Sequence, residues 1–490
     1  MIILDKSSKE IFHSIVKNSL YYYLAEIVSR FAMLLLYIVI ARKLGAEGFG
    51  EISFNLVIVS LVLLTCDFGY SQIAIKNIPL FPNHEETLEY LSKILSAKYI
   101  SAMILVMIFI LYSSLNNFSI TRILFFLIYT LSQIALFFPL LIGIYFRATN
   151  NTKIESLLRI IISFTTSIAG LVFVLIFKMG IIGFAISALI ASIITCSVAY
   201  YITLKKGIRF NFIKRLNNID VAKYYFEIIK PALPFGILAL VGTISYRIDT
   251  VMLALIKGSS LTGIYSAGVK ILDIGLLIPG SMAAVAFAPL SLAIRRNELR
   301  VAKNIYETLL KYMLILGGII ALGISLNSSI IVRLIYSNQE YRETVPVLEI
   351  LIWAIIPIYL TGVTATIISA SVKPSINAVL ALVMVLFNIS INIYFINNYG
   401  AIGAAITTVL TETLGLGLGL LYIRKSNLRF ESRNLLFKGV VALGISGLIA
   451  FVLRDSIIKN FSIVVFIALM YMMKIFNWND FTFLKFEKAK

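Results

Sequence analysis

The sequence predicts an all-α, polytopic membrane protein of about 14 transmembrane helices, built as two six-helix lobes with two helices appended. Three observations predict it. The 490 residues are 60% hydrophobic and only 14% charged, with a mean hydropathy of +0.95, whereas a soluble domain carries about 25% charged residues. Apolar runs of about 18 residues or more recur along almost the whole chain, which is the length a bilayer demands of a helix. Glycine-marked turns and basic loops of the first half recur in the second, the mark of an internal duplication.

On a ruler of about 20 residues per span, helices are expected near 18–41, 52–76, 92–113, 121–146, 155–177 and 181–204, then near 231–256, 264–292, 307–331, 346–371, 375–396 and 401–423. Two more are expected near 434–453 and 458–475. The domains that follow are an N-lobe at 1–204 (helices 1–6), a basic connector at 205–230, a C-lobe at 231–423 (helices 7–12), and helices 13–14 with a tail at 424–490. The first residues are mixed polar, and the first apolar run carries Glu26 and Arg30. It reads as a retained helix rather than a cleaved signal.

The net charge of +19 does not point to nucleic acid, because the basic residues fall in short loops between spans. One side of the membrane collects about 31 of the 43 Lys and Arg, against about 9 on the other, with three in spans; this is the positive-inside pattern. It places both termini in the cytoplasm and the protein in the cell membrane. Cys66 and Cys196 lie in apolar runs and read as small core residues rather than a disulfide. His13 and His84 lack metal-ligand spacing, so no metal site is expected.

The repeat rests on three landmarks. Gly45 and Gly50 match Gly258 and Gly263 at an offset of about 213 residues, and the stretch from Met179 through Ala188 matches that from Tyr399 through Thr408 at about 220. The basic turns at Lys153 and Lys373 share the second offset. Six spans per copy is an even number, so both copies have the same orientation, related by an axis along the membrane normal.

Charges inside the spans are the candidate functional residues, because an ion at bilayer depth costs several kcal/mol by most scales and therefore faces a partner or a watery cavity. Glu26 and Arg30 are spaced i, i+4 and Lys270 and Asp273 i, i+3, so each pair shares a helical face. Either pair can lock helices together or line a site, and both readings stay open. Arg247 has no same-face acid in its own span, which favours a cavity role. Asp67 stands near a span end, Asp249 two residues after Arg247, and Glu412 alone in span 12. Arg30, Arg247 and Lys270 are the candidate substrate-binding residues, since cations suit an anionic substrate and the guanidinium fork matches phosphate. Glu26, Asp67, Asp249, Asp273 and Glu412 are the candidates for ion coupling or ion pairing. No catalytic residue is expected: no phosphate-binding Gly-x4-Gly-Lys-Ser/Thr loop occurs, and no outward loop is long enough for an enzyme site.

Helix breakers stand at Pro231 and Pro234, where span 7 should open, at Pro279 in span 8, and at Pro139 and Pro357 in spans 4 and 10. Gly415 and Gly419 form a close-packing pair in span 12, and Tyr21, Tyr22 and Tyr23 read as an interfacial belt.

At these residues the chain resembles a known family. The turn Ala41-Arg-Lys-Leu-Gly-x3-Phe-Gly50, Asp67-Phe-Gly69, and Arg247-x-Asp249 with Gly263-x-Tyr265-x2-Ala267 are similar to the polysaccharide (Wzx-type) flippases. These belong to the multidrug/oligosaccharidyl-lipid/polysaccharide (MOP) exporter superfamily, with the lipid II flippase and the multidrug and toxin extruders. The resemblance implies two lobes around a central V-shaped cavity that work by alternating access. The substrate implied is a polyprenyl-diphosphate- or dolichyl-phosphate-linked oligosaccharide, bound in a cationic cavity to which Arg30 and Arg247 would contribute. It also implies a lipid-tail role for helices 13 and 14. No cofactor is expected beyond Na+ or H+ as a coupling ion. The expected partners are the lipid-linked substrate, membrane lipids and polysaccharide assembly enzymes, with no nucleic acid. Two other readings compete. A drug-extruding antiporter usually lacks the extra helix pair and uses an acidic ion site, whereas this chain carries buried bases as well as acids. A membrane polymerase or ligase presents a large outward loop, which is absent from the sequence.

Overall fold

A computed structural model describes residues 6–81, 83–115, 120–149, 151–208, 221–371, 375–426, 433–453 and 457–473, with 428, 430 and 475. Among them every regular element is helical and no strand occurs. The chain divides into two compact units, Met1–Arg247 and Ile248–Lys490.

The first unit runs through α1 (Lys6–Asp67), α2 (Tyr70–Asn77), α3 (His84–Leu115), α4 (Ile120–Ala135), α5 (Phe137–Ala148), α6 (Thr152–Leu171) and α7 (Gly180–Lys205). It ends inside α8 (Val221–Lys257), which crosses the division. Helix α6 packs on α1 and α7, and α4 on α7. Their shared core is aromatic, with Phe125, Tyr129 and Phe184 stacked at centroid distances of 5.8–6.4 Å.

The second unit holds α9 (Ser259–Gly275), α10 (Leu277–Arg295), α11 (Leu299–Leu326), α12 (Ser328–Tyr336), α13 (Thr344–Leu351), α14 (Ile355–Ala370), α15 (Ile376–Lys425), α16 (Arg433–Val452) and α17 (Phe461–Met472). Helix α14 packs on α10, α11 and α15, while α9 packs on α13 and α15. The last two helices dock on α11: a Cβ at Gly318 would strike the buried Phe466 ring, and one at Gly439 would strike Leu314. The Lys459 ammonium also donates to the Leu326 carbonyl at 2.7 Å, satisfying one of the carbonyls left over at the α11 C-terminus.

Eleven helical stretches among the described residues are long and apolar enough to cross a membrane, rather than the expected fourteen. Two of the eleven, Tyr21–Asp67 and Ile376–Lys425, are broken by glycines with positive φ, Gly45 and Gly400. Each break falls between two of the expected spans, 18–41 and 52–76, and 375–396 and 401–423. The expected last span, 458–475, is a shorter helix of 12 residues, Phe461–Met472. The multi-pass, all-helical membrane character is thus plain in the structure.

Three of the prolines act as expected. Proline lacks an N–H, so the carbonyl four residues earlier loses its helical donor. At Pro279 that carbonyl belongs to Gly275, where α9 ends, and the Tyr359 hydroxyl donates to it at 2.6 Å. Pro139 similarly follows the α4–α5 break at Leu136, and Pro357 the 3-10 turn Ile352–Ala354. Pro231 and Pro234 differ from expectation: they lie inside α8 instead of opening it, because helix already covers Val221–Lys230. That helix also occupies the second part of the expected connector at 205–230, whose residues 209–220 lie outside the described residues. The Lys373 turn and the tail at 476–490 lie outside them too. Gly415 and Gly419 pack closely as predicted, against Met384 and Thr364.

Candidate functional site

The most elaborate polar cluster in the second unit centres on Asp249, which is 4% exposed within a membrane helix. A carboxylate there must replace the hydration it loses. Asn392 Nδ2 donates to Oδ1 at 2.5 Å, while the Thr408 and Tyr265 hydroxyls donate to Oδ2 at 2.8 and 3.1 Å. Asn392 also reaches Asn388 Oδ1 at 2.8 Å, and Asn388 donates to Thr411 at 3.2 Å. The cluster thus joins α8, α9 and both halves of α15 on either side of Gly400.

Its donor count is short. A hydroxyl has a single proton, yet Thr408 Oγ1 lies within reach of Asp249, of Tyr265 at 3.0 Å and of the Ala404 carbonyl at 2.9 Å. Asn392 Oδ1 is buried with no hydrogen-bond partner among the described residues. Oxygen is therefore in excess, which is the donor set that small hard cations select. Glu412 stands one turn beyond Thr408 on the same helix and makes no hydrogen bond or ion pair among the described residues.

In the first unit the charges form a chain. Glu26 accepts from Arg30 Nε at 2.7 Å, as the i, i+4 spacing predicts. It also accepts from Arg159 on α6. Arg159 faces Glu155 at 3.7 Å, and Glu155 in turn is gripped by both arms of Arg147. The Tyr22 ring lies 4.8 Å from the Arg147 guanidinium and 5.0 Å from that of Arg159, whose N–H bonds the Tyr22 hydroxyl at 3.2 Å. The tyrosine belt therefore holds cations as well as marking the interface. Within this network Arg30 is the open member, its side chain 49% exposed.

Asp67 is more than an interfacial residue. It pairs at 2.5 Å with Lys98, whose side chain is 4% exposed, and Ser71 donates to the same carboxylate oxygen. Immediately after it, Phe68 and Gly69 take positive φ and turn the chain from α1 into α2. A Cβ at Gly69 would sit 2.5 Å from the Ala232 carbonyl oxygen and 2.6 Å from Gly236 N, so glycine is what allows α8 to approach. Lys270 and Asp273 face each other at 4.0 Å on α9. The Arg247 guanidinium lies 4.6 Å from the Tyr246 ring centre.

Sequence reading missed Asn388, Asn392, Thr408, Lys98, Arg147, Glu155 and Arg159. The i, i+4 pair Asn388 and Asn392 inside an apolar span was the available signal for the first cluster, and Glu155–Arg159 at the same spacing for the second. Cys66 is buried and Cys196 half-buried, and both are free thiols. The His84 ring meets the Tyr145 hydroxyl at 3.2 Å. No group of three or more His, Cys, Asp or Glu that could hold a metal occurs among the described residues. The side chain of His13 lies outside them.

Comparison with known proteins places this arrangement. The model of the polysaccharide biosynthesis protein family matches residues 15–294. The capsular polysaccharide biosynthesis protein CapF of Staphylococcus aureus is 27% identical over 406 residues, covering 82% of this chain and 97% of that protein. Among solved structures, the lipid II flippase MurJ in an inward closed conformation superposes with a TM-score of 0.74 at 17% identity, covering 94% of this chain and 99% of that one. An inward-facing multidrug resistance MATE family transporter of the MOP superfamily gives 0.64 at 15% identity, covering 81% of this chain and 94% of that one. The fold is the one these transporters share, and the chain belongs to the polysaccharide biosynthesis protein family.

Proposed function

We propose that the chain is a flippase that moves a lipid-linked oligosaccharide, carried on a polyprenyl diphosphate or a dolichyl phosphate, across the cytoplasmic membrane by alternating access. It serves the synthesis of cell-surface polysaccharide or glycan. The observation that carries this reading is the family match across more than half the chain, in a protein whose charged side chains sit within membrane helices. The relative's name in capsular polysaccharide biosynthesis and the flippase fold of MurJ support it.

A sugar phosphate is anionic and strongly hydrated, so its passage needs cations at bilayer depth. Arg30, Arg247 and Lys270 take that role on this reading. Arg30 gives its Nε proton to Glu26 and keeps a half-exposed guanidinium, which leaves an edge of the fork for phosphate. Basic residues on one side set both termini in the cytoplasm. Membrane lipids and polysaccharide assembly enzymes are the partners that fit this role.

Asp249, Asn392, Asn388 and Thr408 are the residues to hold a coupling ion, either Na+ or a proton. Their oxygens fit it, because Asn392 Oδ1 is buried without a partner. When bound, the ion supplies the energy of its own gradient. Thr408 can turn its proton to the Ala404 carbonyl, 2.9 Å away, and so present a lone pair to the site. Glu412, one turn further along the same helix, adds a second carboxylate near the site.

Depleting the protein in the cell that makes it tests the function. Lipid-linked oligosaccharide should accumulate, inaccessible to a glycan-binding probe added from outside. Unchanged surface display, with loss of ion-coupled efflux of a small cationic dye, would instead favour the extruder whose fold the chain shares.

A further inference from the structure

A groove on the first unit belongs to none of the charge clusters. Helices α3, α5 and α7 enclose a cavity of about 400 Å³ lined by Leu95, Tyr99, Phe138, Cys196, Ser197 and Tyr200. Leu95 and Phe138 form a buried floor. The mouth opens on the face of α7 that carries Ile193, Ser197, Tyr200, Tyr201 and Leu204, all exposed. Helix α7 is long and apolar enough to span a membrane, so that face meets lipid. The Ser197 hydroxyl is turned back to the Ile193 carbonyl at 2.9 Å and offers the groove no free donor.

Two exposed lysines, Lys205 and Lys206, follow at the end of α7. Lys206 Nζ lies 5.8 Å from the Phe146 ring centre, and Phe146 is two turns beyond Phe138 on α5. The groove floor at Phe138 is therefore about 12 Å deeper along the helices than the lysines, at 1.5 Å per residue. Tyr200 and Tyr201, exposed just before the lysines, mark the level of the membrane interface.

We propose that this groove binds one acyl chain of an anionic phospholipid, with the phosphate held by Lys205 and Lys206. The predominantly apolar walls suit hydrocarbon, which loses no hydration on entering, whereas the few hydroxyls along them would replace little of the hydration of a sugar or an ion. Two cations at head-group level favour a lipid of net negative charge over a zwitterionic one. Tyrosine bodies between them cover the stretch where acyl chain gives way to ester and phosphate.

The full-length protein, reconstituted in nanodiscs with phosphatidylglycerol or phosphatidylcholine carrying a photoactivatable diazirine in the acyl chain, tests this site. Adducts should concentrate on peptides containing Leu95–Tyr99 and Ile193–Leu204, at least fivefold more from phosphatidylglycerol than from phosphatidylcholine. In the double variant Lys205→Ala, Lys206→Ala the preference should fall to within twofold. In Ser197→Trp, where an indole fills the mouth, adducts on Leu95–Tyr99 should fall at least fivefold while those on other helices stay. Equal labelling by both lipids, or adducts spread evenly over every membrane helix, would overturn the proposal.

Discussion

Gly45 and Gly258 hold the same backbone conformation, φ 70° with ψ −174° and φ 86° with ψ −179°. They are the paired glycines at the repeat offset of about 213 residues. The second pair behaves alike, Gly180 at φ 58° and Gly400 at φ 55°. Two glycine turns of the first half thus have counterparts with positive φ in the second, and glycine is required because a side chain is strained in that region of φ and ψ. Substituting alanine at Gly45 or Gly258 should cost about 1–3 kcal/mol, the usual strain there. Gly417, helical and with open space around its Cβ position, should accept alanine with no loss. Thermal unfolding in detergent reads the difference.

Asp67 and Lys98 predict a different kind of loss. Asp67→Asn leaves the ammonium of Lys98 buried without its charge partner, which costs about 3–5 kcal/mol when the site is dry. The double variant Asp67→Asn, Lys98→Met should recover most of that stability. Denaturation of the single and double variants checks the cycle.

The helices and their glycine breaks were legible because apolar length and glycine are local signals. The partners of Asp249 were not, since Asn392 and Thr408 lie more than a hundred residues downstream and carry no charge. Arg159 falls inside the expected span 155–177, but its partner Glu26 lies more than a hundred residues upstream, and only the packing of α6 on α1 brings the two together. Lys98 lies in the expected span 92–113, but nothing local to it in the sequence shows that it packs against Asp67 on another helix. Charge marks Asp249, Asp67, Glu26 and Arg30 in the sequence, and packing supplies their remaining partners.

Arg30 and Arg159 both bond Glu26, and their variants should separate. Arg30→Ala removes an exposed i, i+4 pair and should cost about 0.5 kcal/mol of stability or less, yet reduce transport strongly if the exposed fork meets phosphate. Arg159→Ala strips a hydrogen-bonded ion from two carboxylates and should cost about 1.5–3 kcal/mol. Melting temperature and transport, measured on each variant, distinguish the two roles.

The Asp249 cluster predicts a cation-dependent stability. Wild type should melt higher as Na+ is raised, or as pH is lowered if the ion is a proton, and Asp249→Asn should abolish that dependence. Asn392→Ala should raise the half-saturating concentration about tenfold or more, the equivalent of one lost charge-assisted interaction at 1.4 kcal/mol per decade. Identical melting of wild type and Asp249→Asn across both titrations would remove the ion site.

The most direct measurement is leaflet exchange of a fluorescent lipid-linked oligosaccharide in liposomes carrying the purified protein, compared with Arg247→Ala. The account predicts protein-dependent exchange in wild type that falls at least tenfold in the variant while its melting temperature stays within a few degrees. Absence of exchange in wild type, with the protein folded and correctly inserted, would contradict it.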